Sequence, residues 1–75
     1  MLRDFVLSID TASNLLVIKT PPGSAHLIGV ALDQSDMTDI VGTICGDDTI
    51  FAACRSASDA DATATKLRSA TLNVQ

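Results

Sequence analysis

The sequence predicts an α+β fold in which one four-stranded antiparallel sheet carries two helices on the same face. Two observations lead to this prediction. Short segments rich in β-branched and other apolar residues occur as two pairs, and each pair is followed by a segment whose apolar residues recur at helical spacing. The predicted order is therefore β-β-α-β-β-α, and a two-layer sandwich is the simplest architecture that satisfies it.

The first pair of strands is predicted to be a hairpin of Phe5–Ile9 and Leu15–Lys19. Both segments are apolar and β-rich, whereas residues 10–14 between them are mostly turn formers, so we expect a loop of several residues. Thr20–Gly23 ends this hairpin. Its two prolines cannot donate strand hydrogen bonds, and its glycine tolerates unusual backbone angles.

Two helices follow from capping residues and apolar spacing. The first is predicted to begin near Ala25, with Ser24 as its cap, and to end between residues 33 and 35. Its inner face should carry Leu27, Ile28, Ala31 and Leu32. The second is predicted from about Ser58 to Ala70, because Ser and Asp residues near its start favour the positive end of a helix dipole. Its inner stripe should be Ala60, Ala64, Leu67 and Thr71.

The second pair of strands is predicted at Ile40–Cys45 and Ile50–Arg55, on either side of the tight turn Gly46–Thr49. If the loop has two residues, Cys45 lies opposite Ile50 and Val41 lies opposite Cys54. The two cysteines then share a face about 13 Å apart along the ladder, which is too far for a disulfide.

The length and composition predict a single domain that associates with copies of itself. A chain of 75 residues, taken as one domain over 1–75, has room for one core. Hydrophobic residues make up 47% of the sequence and aromatic residues only 3%, so that core is thin. The sheet face turned away from the helices would be bare, and self-association through that face is the simplest cover.

The charge pattern limits the partners of this domain. The net charge is −4 and the five basic residues are scattered, which disfavours a nucleic-acid surface. All nine acidic residues are Asp, which suits turns and a cationic ligand. No apolar run reaches the roughly 18 residues of a membrane span, and the start lacks the apolar region of a secretory signal. We therefore expect a cytoplasmic protein with reduced cysteines and no membrane partner.

The adjacent carboxylates of Asp47 and Asp48 are the sharpest candidate site. A guanidinium suits such acceptors, because its planar donors pair with a carboxylate through two parallel hydrogen bonds. The residues alone leave two other interpretations open: an ordinary Asp-rich turn, and a Mg²⁺ or Ca²⁺ site that would need more oxygen ligands. A polymerase-like Gly-Asp-Asp motif is excluded, since the chain is too small and lacks a basic surface.

The single histidine, His26, lies where the first helix begins, and Asp33 follows it by close to two helical turns. The two side chains can therefore line one groove. No metal cluster and no catalytic arrangement emerges from the spacing of these residues.

Two stretches resemble the C-terminal domain of bacterial arginine repressors. One is Leu15–His26, with its Thr-Pro-Pro-Gly-Ser-Ala-His sequence, and the other is Ile40–Ile50, with its Gly-Thr-Ile-Cys-Gly-Asp-Asp-Thr-Ile sequence. The resemblance extends over nearly the whole chain. It implies an effector-binding domain without enzymatic activity that forms trimers through its sheets and hexamers from paired trimers, with L-arginine between the trimers as corepressor and no other cofactor.

The resemblance also implies roles for particular residues. Asp47 and Asp48 match the carboxylate pair that holds the guanidinium of the ligand. Further positions match the walls of the same pocket, on the helix His26 and Asp33, and on the strand Thr43 and Cys45. His26 stands where some family members have Gln.

Family members carry an N-terminal winged helix-turn-helix domain and a linker, which do not precede Phe5 here. The resemblance therefore implies either an isolated domain of a repressor of arginine metabolism genes or a naturally truncated regulator, with operator DNA contacted only through that other domain. Two rival hypotheses are a ligand-free oligomerisation domain and a small α+β enzyme that uses His26.

Overall fold

The computed structural model describes residues 6–33 and 38–71, and the order of its elements is the predicted one. The six elements are β1 (Ser8–Ala12), β2 (Leu15–Lys19), α1 (Ala25–Asp33), β3 (Ile40–Cys45), β4 (Thr49–Cys54) and α2 (Ala57–Thr71). The α+β prediction is confirmed, and the bounds of β2 and β3 are those that the sequence predicts.

The sheet is antiparallel throughout, with the strand order β1-β2-β4-β3. β2 and β4 are therefore the central strands, although 29 residues of the chain separate the end of the first from the start of the second. Ile18 and Ile50 lie opposite each other in this central pair and are 1% and 0% exposed. Two β-branched side chains, paired across the middle of the sheet, anchor the core.

Both helices cover the same face of the sheet, as predicted. α1 packs on β3 and β4, whereas α2 packs mainly on β1 and also contacts β2 and β4. Their buried side chains form one apolar cluster with those of the strands. The largest fully buried side chains are those of Leu16, Ile18 and Ile50. Burial of each such side chain is worth roughly 1.5–3 kcal/mol.

The first hairpin corrects the prediction for β1 and its loop. The strand lies at Ser8–Ala12 and overlaps the predicted Phe5–Ile9 only in part; Phe5 lies outside the described residues. The loop is the two-residue turn Ser13-Asn14, in which Ser13 has a φ of 59°. Asp10 to Ala12 form strand despite their turn propensity, because pairing with β2 supplies backbone partners that a loop would lack.

The second hairpin corrects one end of the predicted register. Cys45 lies opposite Ile50, as predicted, but Cys54 faces Ile40 rather than Val41, because the ladder is irregular between Ile40 and Gly42. One extra residue on β3 bends the edge of the sheet there. β4 covers Thr49–Cys54, one residue earlier than predicted.

The helices differ from the prediction in one buried position and in their bounds. Leu27 is 55% exposed, so its place on the inner face of α1 is wrong, and Ala25 is buried there instead. Ala31 is half-buried, while Ile28 and Leu32 are buried as predicted.

α2 begins at Ala57 and is capped by Ser56, whose hydroxyl accepts a hydrogen bond from the Asp59 amide at 3.0 Å. The predicted inner stripe of α2 is buried at Ala60, Ala64 and Leu67; the side chain of Thr71 lies outside the described residues.

The sheet face opposite the helices is apolar at its centre. We call this surface the open face; its central side chains are Leu15, Val17, Ile44, Phe51 and Ala53. Phe51 lies between Val17 and Ile44 in the ladder and is 48% exposed, and Ile44 is 76% exposed. Neighbouring exposed apolar side chains on a sheet are typical of a surface that another protein covers.

Candidate ligand site at the tip of the second hairpin

The tip between β3 and β4 presents Asp47 and Asp48 to solvent. The Gly46 amide donates to the Thr49 carbonyl at 2.8 Å and closes the loop, so that the two aspartates alone form the turn. Both residues are exposed. The predicted two-residue loop is confirmed, and two carboxylates project from a short, closed turn.

Two backbone hydrogen bonds anchor this tip to the loop between β2 and α1. The Thr20 amide donates to the Asp48 carbonyl at 2.8 Å, and the Gly23 amide donates to the Asp47 carbonyl at 2.9 Å. Gly23 has a φ of 86°, which favours glycine over every residue with a side chain. The Thr-Pro-Pro-Gly segment therefore positions the tip relative to the start of α1.

The carboxylate of Asp48 has a hydrogen-bond donor within its own hairpin. The Thr49 hydroxyl donates to Asp48 Oδ1 at 3.0 Å, and Lys19 Nζ donates to Thr49 Oγ1 at 2.9 Å. One carboxylate oxygen of Asp48 thus has a partner at the base of the tip.

The two helical candidates lie at opposite ends of α1. His26 is the second residue of the helix, exposed, and three positions beyond the Gly23 amide that binds the tip. Asp33 is the last residue of the helix, about 10 Å further along the axis, and its side chain lies outside the described residues. The predicted groove shared by these two side chains stays a prediction.

The two strand candidates, Thr43 and Cys45, lie on the side of β3 that faces the helices. Thr43 pairs with buried Ala52 and is half-buried itself. Cys45 lies under α1 so closely that a Cβ placed on Gly29 would be 2.2 Å from its Sγ. α1 therefore packs closely on β3 at Gly29, because this residue has no side chain.

Cys45 and Cys54 are not joined in a disulfide. Cys54 is buried at the far end of β4, and its burial raises the pKa of this thiol, with smaller contributions from the negative charges of Asp59 and Asp39. A hydrogen bond with Thr63 lowers the same pKa in part. A protonated, buried thiol is a poor nucleophile, so Cys54 is a core residue.

The tip borders an apolar depression on the open face. Its volume is about 220 Å³. It is lined by Ile44, Cys45, Gly46, Thr49 and Phe51. Thr49 thus contacts both surfaces: its side chain binds Asp48 at the tip, and it also lines the apolar depression.

Among the residues that the structure describes, no three His, Cys, Asp or Glu side chains are grouped so that they could hold a metal ion. Of the two helices over 6–33 and 38–71, neither is long and apolar enough to cross a membrane.

Comparison with known proteins decides the family. A family model described as "Arginine repressor, C-terminal domain" matches residues 2–69. The chain belongs to this family. The resemblance that the sequence suggested is therefore confirmed. The structure described above is that of an arginine repressor C-terminal domain.

Several relatives are named "Arginine repressor". The one from Geobacillus sp. (strain WCH70) is 58% identical over 60 residues, which are 80% of this chain and 40% of the relative. The one from Geobacillus stearothermophilus is 50% identical over 68 residues, 91% of this chain and 46% of the relative. The one from Halalkalibacterium halodurans is 53% identical over 58 residues, 77% of this chain and 39% of the relative.

The chain spans less than half the length of these relatives. Arginine repressors are transcription regulators, so membership of their family confirms the prediction that this chain is not an enzyme, and it removes the alternative of an enzyme that uses His26.

Three residues near the site were missed by the sequence analysis. Lys19 and Thr49 form the hydrogen-bonded chain to Asp48, and Gly29 lets α1 approach β3. No short-range pattern joins Lys19 to Thr49, because they are 30 residues apart and meet only through the β2–β4 pairing. Only Gly29 had a visible signal in the sequence. It lies in the middle of a helical pattern, where glycine destabilises the helix unless close packing requires it.

Proposed function

We propose that this chain is the effector-binding and oligomerisation domain of an arginine-dependent transcriptional repressor, with L-arginine as corepressor. The observation that carries the proposal is the anchored tip, which presents two adjacent exposed carboxylates in a chain of the arginine repressor family. His26, Asp33, Thr43 and Cys45 are proposed to line the same ligand pocket.

The chemistry of the tip fits a guanidinium. A planar guanidinium has five N–H donors, which can bridge two carboxylates, whereas an ammonium acts as a point charge. Two carboxylates on neighbouring residues repel each other, and a bound cation offsets that repulsion. Because the backbone of the tip is held at 2.8 and 2.9 Å by Thr20 and Gly23, little order has to be imposed when the ligand binds.

The proposed assembly uses both exposed surfaces of the domain. The open face is proposed to pack against other copies in a trimer, because its central apolar side chains are otherwise in water. Two trimers are then proposed to meet at their acidic tips and form a hexamer. Arginine between the trimers neutralises the gathered carboxylates of Asp47 and Asp48, so ligand binding and hexamer formation are thermodynamically coupled.

The relatives that this chain matches are more than twice as long as the stretch they share with it. We propose that operator DNA is contacted by an N-terminal domain of the intact repressor, and that arginine acts on DNA binding by fixing the arrangement of those domains. The net charge of −4 on the present chain agrees with a domain that leaves phosphate contacts to another part of the protein.

A second candidate function is that of an oligomerisation domain without a ligand. The open face favours it, since this surface would drive association whether or not arginine binds. Thermal unfolding separates the two functions. A ligand that binds only the folded chain raises its melting temperature as the ligand concentration rises, whereas a chain without an arginine site melts at the same temperature throughout.

Sedimentation velocity of the purified chain, with and without L-arginine, tests the coupling directly. We expect arginine to shift the chain toward the larger species, and L-citrulline, which has a neutral ureido group in place of the guanidinium, to leave the distribution unchanged. The shift follows from mass action, because the ligand stabilises the state that contains its complete site. Equal distributions in arginine and in buffer would contradict the proposal.

Substitution of the tip carboxylates is expected to weaken arginine binding without unfolding the chain. Asp48→Asn and Asp47→Asn each keep the shape of the side chain and remove its charge, and a lost charge-assisted hydrogen bond at an exposed site should raise the Kd about tenfold. Isothermal titration calorimetry measures the change.

Asp61→Asn is the matched control for these variants. Asp61 is exposed on α2, so the variant changes the net charge equally at a surface away from the tip. Its Kd should equal that of the wild type. If both tip variants bind arginine as the wild type does, the assignment of Asp47 and Asp48 is wrong.

A further inference from the structure

Lys19 and Thr49 are direct neighbours across the central strand pair. They lie opposite each other in the register of β2 and β4, at the end of the sheet from which the tip extends. Lys19 Nζ lies 2.9 Å from Thr49 Oγ1, and that hydroxyl lies 3.0 Å from Asp48 Oδ1. A three-member chain of hydrogen bonds therefore runs from β2 through β4 to the tip.

The chemistry of the three groups fixes which one donates and which one accepts in each of these two hydrogen bonds. An ammonium group has only donors and an ionised carboxylate has only acceptors, whereas a hydroxyl has one donor and two acceptor lone pairs. Thr49 Oγ1 must therefore accept from Lys19 and donate its single proton to Asp48. A charged donor polarises the hydroxyl and strengthens its bond to the carboxylate.

We propose that Thr49 is a positioning residue for Asp48, and that Lys19 sets the direction in which the Thr49 hydroxyl donates. This inference rests on the proposed function, in which Asp48 binds the guanidinium of arginine. Thr49 holds Oδ1 and leaves Oδ2 for the ligand. The carboxylate is thus oriented before the ligand arrives, which lowers the entropic cost of binding.

The backbone hydrogen bonds of the tip hold the main chain around Asp48, so the Thr49 hydroxyl is needed only to orient the carboxylate. The Asp47 carbonyl accepts the Gly23 amide at 2.9 Å, and the Asp48 carbonyl accepts the Thr20 amide at 2.8 Å. The peptide groups on both sides of the Asp48 side chain are therefore held already. The remaining freedom is rotation of the carboxylate, and the Thr49 hydroxyl is the group that restrains it.

The test is calorimetric titration of L-arginine into the wild-type chain, Thr49→Val and Thr49→Ser. Valine has the shape and β-branching of threonine without the hydroxyl, whereas serine keeps the hydroxyl. We expect Thr49→Val to raise the Kd about fivefold, as for the loss of one hydrogen bond to a charged group at an exposed site, and Thr49→Ser to stay within about twofold of the wild type. Thr49→Ala, which also lacks the hydroxyl, should repeat the valine result and serves if the valine variant does not fold.

A double-mutant cycle with Asp48→Ala separates positioning from a general structural effect. If Thr49 acts through Asp48, Thr49→Val causes no further loss of affinity once the carboxylate is gone. An equal loss in both backgrounds, or an equal loss in the serine variant, overturns the inference. If the wild type binds arginine and Thr49→Val binds equally well, the inference fails while the proposed function stands; if the wild type does not bind arginine, the proposed function itself fails.

Discussion

If the open face forms the proposed trimer contact, replacing Phe51 by aspartate is expected to convert the trimer into a monomer that keeps its fold. Phe51 lies at the centre of the open face, between Val17 and Ile44, with its side chain pointing away from the core. Because Phe51 is 48% exposed, covering it contributes roughly half of the 1.5–3 kcal/mol of a fully exposed phenylalanine, and an unpaired buried carboxylate adds a further penalty. Because every subunit of a trimer carries the change, association should weaken by more than about a hundredfold.

Sedimentation velocity measures the expected change in assembly, and far-ultraviolet circular dichroism shows that the fold is retained. Ala62→Asp is the matched control, since Ala62 is exposed on α2 and the variant adds the same charge outside the open face. Leu27→Asp serves as a second comparison on α1, where Leu27 is 55% exposed. If the Phe51→Asp variant still forms trimers while the Leu27→Asp variant dissociates to monomers, the trimer contact lies on the helix and not on the sheet.

Replacing Gly29 by alanine is expected to destabilise the chain by about 3 kcal/mol, at the upper end of the cost of over-packing. The added Cβ would lie 2.2 Å from Cys45 Sγ, well inside contact distance, so the thiol must rotate into other packed atoms, or α1 and β3 must move apart. The gain in helix propensity from glycine to alanine, up to about 1 kcal/mol, is too small to offset this clash. Urea unfolding followed by circular dichroism measures the difference.

Removal of the Cys45 thiol should reverse the sign of the Gly29→Ala effect. In a Cys45→Ala background the nearest remaining atom is the Cβ of residue 45, at an ordinary contact distance of 3.9 Å. The alanine at position 29 should then stabilise the chain by up to about 1 kcal/mol. Gly42→Ala controls for the general effect of the substitution, since a Cβ there meets nothing within 4 Å. Equal destabilisation in both backgrounds would mean that contact with the thiol is not the cause.

Local patterns were sufficient for several elements. The bounds of β2 and β3 and the start of α1 agree with the prediction, because Pro-Pro-Gly and Gly-Asp-Asp mark their ends and runs of apolar and β-branched residues mark the strands. The two-residue loop at Asp47 and Asp48 followed from the same information. The resemblance that these two stretches carry was confirmed by the family match over residues 2–69.

The errors have a common physical cause. The turn formers of residues 10–12 belong to β1, because pairing with β2 outweighs their local preference. Leu27 is exposed although it lies four residues before Ala31, at helical spacing, because two faces of α1 carry apolar residues and the packing of the helix on β3 selects one. The predicted register at Cys54 is wrong because it treated β3 as regular, whereas the ladder is irregular between Ile40 and Gly42, and a glycine inside a strand often marks such a bulge.

The sequence by itself determined the order of the elements, the place of the acidic tip and the family, because each depends on residues that are close together in the chain. Only the tertiary structure decided which apolar side chains stay exposed on the open face, how α1 sits on β3 through Gly29, and which donors reach Asp48. These features arise where β2 meets β4 and where α1 meets β3, between residues that are distant in sequence. Such contacts depend on the pairing of whole elements, which no short stretch of sequence specifies.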